Sequence, residues 1–140
     1  MSQTKAQLVS QVSDAQYNTV AGTNAGDSFT GTDANYNSLF GYNAGTAITT
    51  GDSNSAFGYN ALDANTSGTH NVAVGMHALG GNTTAAYNTA VGHDTLKTNE
   101  TGASNTAVGK SALFANTTGT GNVAVGMYSL DANTTANYNT

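Results

Sequence analysis

The residues that could carry out chemistry are few, and they do not form a recognisable catalytic or metal-binding pattern. His70, His77 and His93 occur without an H-x-H or H-x-x-E-H pairing, so we predict no zinc site. The aspartates lack the glycine–aspartate nonapeptide pattern of a calcium-binding roll. No acidic residue, histidine and nucleophile are brought together, so we predict a non-enzymatic protein without a metal or cofactor. The aspartates considered are Asp52, Asp63, Asp94 and Asp131.

Asparagine and tyrosine are the other candidates for function. The Asn-x-Ser/Thr sequons fall in runs typical of turns, and we interpret their asparagines as turn residues, not as glycan acceptors. Tyrosines precede or follow a recurring block, where their rings could stack on sugars or a partner protein, or cover neighbouring repeats. The sequon asparagines are Asn65, Asn82, Asn99, Asn116 and Asn133. The possible surface-recognition tyrosines are Tyr36, Tyr59, Tyr87, Tyr128 and Tyr138.

The element that must position these residues is a repeat of 17 residues, which begins at Asn37 and recurs without insertions. We call each repeat a coil and number its columns one to seventeen from the asparagine. A short fixed period predicts that the coils stack as an all-β, parallel β-solenoid of the β-roll or β-helix type. Column one is always asparagine, at Asn37, Asn54, Asn71, Asn88, Asn105 and Asn122. Column five is always glycine, at Gly41, Gly58, Gly75, Gly92, Gly109 and Gly126.

The apolar columns predict that the solenoid associates with other chains. Neighbouring residues of a strand face opposite sides, yet columns three and four are both apolar, as are columns eight and nine. We expect the small residues to face the inside of the coil and the large ones to pack against a partner. The large residues of column four are Phe40, Phe57, Val74, Val91, Val108 and Val125. Those of column nine are Leu62, Leu79, Leu96, Leu113 and Leu130.

The chain divides into three parts on this pattern. Residues 1–16 carry Leu8, Val12 and Ala15 at helical spacing, which predicts a short helix or an irregular entry segment. Residues 17–36 form an aberrant first coil, because 19 residues separate Asn18 from Asn37. Residues 37–140 contain six full coils and the start of a seventh, so we expect continuation into other fibre or virion proteins at the ends.

Composition excludes several partners. The net charge is −5 and charged residues make up 8% of the chain, so there is no basic surface for nucleic acid. No apolar run approaches the roughly 20 residues of a membrane span, which predicts no membrane insertion. Cysteine is absent, so no disulfide framework is possible.

The repeats resemble those of a known group of proteins. The segment from Asn105 to Gly119, NTAVGKSALFANTTG, is similar to the N-T-A-V-G-x-x-A-L-x-x-N-T-T-G repeats of bacteriophage tail-fibre proteins and related marine bacterial proteins. More distantly, it resembles the head repeats of trimeric autotransporter adhesins, which form a left-handed parallel β-roll. The resemblance covers Asn37 to Thr140 and, loosely, Asn18 onward. It implies a homotrimeric β-solenoid in a virion tail fibre or at a cell surface.

Three functions are consistent with the sequence. The first is a structural segment of a phage tail fibre that spaces or presents elements binding a host glycan or protein. The second is the stalk or head of a bacterial trimeric adhesin. The third is an ice-binding β-solenoid, suggested by a threonine or serine in every column fourteen, although adjacent columns thirteen and fourteen should point apart. The residues of column fourteen are Thr50, Ser67, Thr84, Thr101, Thr118 and Thr135.

Overall fold

Each coil contributes one three-residue strand, and the strands stack into a single parallel sheet. A computed structural model describes residues 16–29 and 33–140. Its sheet has the order β1-β2-β3-β4-β5-β6-β7, with every neighbouring pair parallel. The predicted all-β parallel solenoid of 17-residue coils is therefore confirmed. The strands are β1 (Thr19–Ala21), β2 (Ser38–Phe40), β3 (Ser55–Phe57), β4 (Val72–Val74), β5 (Thr89–Val91), β6 (Thr106–Val108) and β7 (Val123–Val125).

The aberrant first coil stacks on the regular ones in register. Thr19 pairs with Ser38 across 19 residues, whereas Asn35 donates its backbone N–H to Asp52 Oδ1 across 17. Ser28 still shows the excess of two residues, since its N–H donates to Thr46 O across 18 residues, whereas the equivalent bond of the next coil, from Ala47 N–H to Asp63 O, spans 16. The two additional residues of the first coil therefore fall between positions 28 and 35. The helix or irregular segment predicted for residues 1–16 lies almost entirely outside the described residues.

The remainder of each coil is built from turns with left-handed backbone. Columns seven, nine and seventeen have φ between about 50° and 70°; in the coil that begins at Asn54 these are Asn60, Leu62 and His70. Left-handed residues reverse the chain direction within a few positions, which lets a coil of 17 residues close with only one strand. Leucine in this conformation is unusual, so burial of its side chain must offset the strain.

The core is a narrow apolar column inside the coil. Column three and column eight contribute small side chains, and column nine contributes leucine, all with no solvent exposure in the central coils. The coil that begins at Asn37 fills the same space differently. It has Gly45 in column nine, and a Cβ there would lie 2.8–2.9 Å from carbon atoms of Ile48 and Leu39. The larger Leu39 and Ile48 thus replace the alanine and asparagine of later coils and occupy the volume of the missing leucine.

Candidate functional site

Two columns of asparagine tie the coils together from inside. In column one, each backbone N–H donates to the side-chain Oδ1 of the asparagine one coil earlier, at 2.8–3.0 Å. In column twelve, each Nδ2 from Asn82 onward donates to Oδ1 of the asparagine one coil earlier, at 2.8–3.1 Å. Buried amides without partners would be costly, so each asparagine depends on its neighbours in the ladder. The sequon residues Asn65, Asn82, Asn99 and Asn116 have no exposed surface, which is incompatible with a glycan at these positions in the folded chain.

Glycine in column five is required by the close approach of consecutive coils. A Cβ at Gly92 would lie 2.7 Å from the carbonyl carbon and oxygen of Gly109, and Gly92 has φ +136°. At Gly126 the backbone is similar, with φ +127°, but nothing lies within 4 Å of the added Cβ. The column therefore has two separate reasons to be glycine, a steric one and a conformational one.

Column four points outward and forms a continuous apolar ladder along the sheet. Column three, between two outward-facing positions of each strand, is buried from β2 to β7. Phe40 and Phe57 stack at 5.0 Å between ring centroids. The side chain of Val108 is 37% exposed, and that of Val125 is 69% exposed. We call Phe40, Phe57, Val74, Val91, Val108 and Val125 the outer apolar ladder.

The leucines of column nine do not belong to this outer surface. The sequence-based expectation that they would pack against a partner chain is wrong for Leu62, Leu79, Leu96 and Leu113, which have no solvent exposure within their own chain. The alternation of a strand does not apply there, because column nine lies in a turn with φ near 50°. Columns eight and nine consequently both point inward. Leu130, in the last coil, is half-buried against the same core.

Two coils that lie three coils, or 51 residues, apart share their outward residues, and this similarity was missed from the sequence. The coils that begin at Asn71 and Asn122 both open with Asn-Val-Ala-Val-Gly-Met, and both continue into Asn-Thr-Thr-Ala-x-Tyr-Asn-Thr. Comparison of coils at a spacing of three, not one, would have found it. In the structure each of these coils exposes three apolar side chains, two on its strand and one just after the glycine of column five. We call Val72, Val74 and Met76, and their equivalents Val123, Val125 and Met127, the apolar cross-stripes.

The candidate tyrosines separate into two groups. Tyr36, Tyr87 and Tyr138 lie in column seventeen, 51 residues apart, and all are strongly exposed. Tyr36 stacks on Tyr17 at 5.5 Å, and Tyr87 stacks on His70 at 5.0 Å. Tyr36 and Tyr87 therefore each stack on the aromatic ring one coil earlier in the same column.

The other tyrosines follow the glycine column and contact charged or aromatic neighbours. Tyr59 stacks on Tyr42 at 5.3 Å and meets His77 edge to face at 5.5 Å. Tyr128 lies 5.8 Å from the Lys110 ammonium. The structure thus does not join the five predicted recognition tyrosines into one site.

A polar notch interrupts the surface where the coil that begins at Asn71 carries Gly80 and Gly81. Its volume is about 470 Å³. Beside it, Lys97 Nζ lies 2.9 Å from Asp94 Oδ1, and His93 Nδ1 lies 3.2 Å from Asp94 Oδ2. Burial raises the pKa of Asp63 at the notch, while a backbone hydrogen bond and the nearby His77 act in the opposite direction. The walls of the notch are Asn60, Asp63, His77, Lys97, Thr98 and Glu100.

Two features are absent from residues 16–29 and 33–140, a cluster of metal ligands and a membrane-spanning helix. Within these ranges no three His, Cys, Asp or Glu side chains are grouped so that they could hold a metal ion. The same residues contain no helix long and apolar enough to cross a membrane. Comparisons with family models, with curated proteins and with solved structures found no match to this chain.

Proposed function

We propose that this chain is a segment of a homotrimeric fibre, of the kind found in phage tail fibres, that spaces or presents host-binding elements. The observation that carries the proposal is the outer apolar ladder, which runs the whole length of a solenoid whose interior is already closed. The resemblance of the repeats to tail-fibre repeats supplies the class of protein and the number of chains. Other virion or fibre proteins would contact its ends.

The outer apolar ladder supports association because extended apolar surfaces on soluble proteins are typical of interaction sites. Phe57, Val74 and Val108 remain exposed because their side chains point away from the core inside their own coil. Columns two and four carry no charged residue in any of the regular coils. A partner that covers this face would therefore bury apolar surface without desolvating a charge.

The apolar cross-stripes favour a second copy of the same chain as that partner. Two parallel copies in register would place Val72 and Met76 beside the same residues of a neighbour. They would do so again at Val123 and Met127, about 14 Å along the axis. A shift by one coil would instead bring Val72 and Met76 against Thr89 and His93. The 51-residue spacing of the cross-stripes would thus specify the register of the chains.

The asparagine ladders fit a spacing role. Each coil is bonded to the next through the sheet and through buried side-chain amides, so bending would break several hydrogen bonds together. Six coils at about 4.8 Å each give a rod of roughly 29 Å. This length is available to hold other parts of a fibre away from the surface on which it is mounted.

Sedimentation of the purified folded chain tests the assembly. We expect three times the mass of the monomer, 14.1 kDa. A monomer at concentrations well above those of a virion preparation would contradict the homotrimer.

Immunogold labelling with an antibody to the folded chain tests the location. We expect label on fibres that project from virions, whereas label on the bacterial surface would favour the adhesin.

A further inference from the structure

The notch exists because two consecutive side chains are missing from one coil. Column ten holds a side chain in every other regular coil, and column eleven does so too, whereas the coil that begins at Asn71 has Gly80 and Gly81. Neither glycine has a positive φ, so the backbone conformation does not require glycine there. A Cβ at Gly80 would lie 3.3 Å from Asp63 Oδ1 and from His77 O, so only a small adjustment would accommodate one. A Cβ at Gly81, in contrast, would lie 2.7 Å from Lys97 O, so the close approach of the next coil requires glycine there. Gly80 therefore opens a space that the fold itself does not need.

Several of the protein's few charged residues line this space. Lys97 lies at the wall but is paired with Asp94 at 2.9 Å, so its charge is compensated. Asp63 and Glu100 also line the notch, and neither makes an ion pair with another described residue. The notch consequently has an excess of negative charge, which favours a cationic ligand.

The remaining walls offer groups suited to hydroxyls. Asn60 supplies an amide, Thr98 a hydroxyl and His77 an imidazole, and the Tyr59 ring packs against the imidazole at 5.5 Å. These groups both donate and accept hydrogen bonds. A volume of about 470 Å³ lies within the range of about 300–1,000 Å³ found for small-molecule sites.

We propose that the notch at Gly80 and Gly81 binds an amino sugar, with its ammonium group on the carboxylate of Asp63 and its hydroxyls on Asn60, His77 and Thr98. Partial burial of Asp63 strengthens this contact, because a carboxylate that has already lost water interacts more strongly with a cation. All the walls come from one chain. The site therefore goes beyond the proposed spacing function and does not rest on trimer formation.

Titration of ¹⁵N-labelled protein with D-glucosamine, followed by amide chemical shifts, tests the proposal. We expect saturable shifts centred on Gly80, Gly81 and Thr98. D-Glucose, which lacks the amine, should bind at least about tenfold more weakly, because it loses a charge-assisted hydrogen bond. Ethanolamine, which lacks the ring, should also bind more weakly. Absence of saturable shifts with D-glucosamine, or equal affinity for either of the other two compounds, would overturn the proposal.

Three variants connect the binding to the notch. Gly80→Thr fills it with the residue that coil 37–53 carries at the same column, Thr46, and should abolish the shifts while the rest of the spectrum is kept. Asp63→Asn should weaken binding about tenfold or more. Asp131→Asn is the matched control. Asp131 occupies the same column as Asp63 but lies two coils beyond the last coil that lines the notch, so its replacement should leave the affinity for D-glucosamine unchanged. Retained binding in Gly80→Thr, or equal loss in Asp131→Asn, would assign the shifts to another surface.

Discussion

Asn54 and Asn65 donate their side-chain amides to the same acceptor, the carbonyl oxygen of Gly68, each at 2.9 Å. The first residue precedes strand β3 and the second lies on the returning segment of the same coil, so the shared carbonyl joins the two sides. The arrangement recurs in later coils, for example where Asn105 and Asn116 meet at Gly119 O. Each coil is thus closed on itself and also bonded to its neighbours by the same amides.

Replacement of one ladder asparagine should destabilise the fold strongly. In Asn88→Ala, the backbone N–H of Asn105 loses its acceptor at 2.9 Å, and Gly102 O loses one of its two donors. We expect a loss of about 3 kcal/mol in the free energy of unfolding, since each unsatisfied buried group costs about 1–3 kcal/mol. Urea unfolding followed by circular dichroism measures it. Thr101→Ala, at an exposed position of the same coil, is the control, and equal midpoints for the two variants would contradict the prediction.

The glycine column allows steric and conformational costs to be separated. Gly92→Ala should be severely destabilised, because its Cβ would meet the Gly109 carbonyl while its φ stays at +136°. Gly126→Ala carries a similar φ but meets nothing, so it should lose only the conformational part, on the order of 1–3 kcal/mol. Thermal unfolding of both variants gives the comparison. Equal losses would show that contact between successive glycines is unimportant.

The two large apolar columns should respond differently to a charge. Val108→Asp, on the outer apolar ladder, should leave the coil folded but reduce the mass found by sedimentation, because the carboxylate would have to be desolvated in the interface. Leu113→Asp should prevent folding of its region, since Leu113 has no exposure inside its own chain. Circular dichroism separates the two outcomes. A folded Leu113→Asp chain, or a Val108→Asp chain of unchanged mass, would count against these roles.

Asp63 should make the protein less stable as the pH rises. Its pKa is raised above the ordinary 3.8 by burial, so the folded state binds the proton more tightly than the unfolded state. The stability that this proton provides is present below 3.8 and is lost as pH increases through the raised pKa. Asp63→Asn should therefore melt at a higher temperature than the parent chain at neutral pH, and the difference should disappear in acid. Asp131→Asn, at an exposed site, should show no such difference.

An ice-binding role predicts measurable thermal hysteresis, and we expect none. Thr66 and Thr117 of column thirteen donate their hydroxyls to the carbonyl oxygens of Thr83 and Thr134 in the following coils, at 3.1 Å. Column fourteen then remains as a single exposed row of hydroxyls. Thermal hysteresis of the folded chain measures this directly. A clear freezing-point gap that is lost in Thr101→Ala would restore the ice-binding alternative.

The period and the inner small residues were enough to predict the fold, because stacking identical units forces identical residues into contact. Alternation within a strand correctly placed Ala107 inside and Val108 outside. The same rule failed at Leu113, since no strand exists there and the φ near 50° turns the side chain inward. Leucine rarely adopts a left-handed backbone conformation, so residue propensities do not predict it at column nine.

The notch could not have been found by reading columns. Gly80 and Gly81 look like ordinary turn residues; Asp63 lies in the coil before them, and Lys97 and Glu100 lie in the coil after them. Only the stacking brings these side chains around the two glycines. The 51-residue spacing of the two similar coils, in contrast, was present in the sequence and was hidden by the stronger 17-residue signal.

The fixed register of the strands also makes length a discrete quantity. Additional residues within a coil add no strand to the stack, and the 19-residue first coil keeps the bond from Asn37 N–H to Asn18 Oδ1. Duplication of a whole coil preserves every hydrogen bond and adds about 4.8 Å. The two apolar cross-stripes lie three coils apart, so a change in length that keeps this spacing between stripes adds about 14 Å. The length of the rod can therefore change by single coils, which preserve the hydrogen bonds of the interior, or by sets of three coils, which also preserve the spacing of the cross-stripes on the surface.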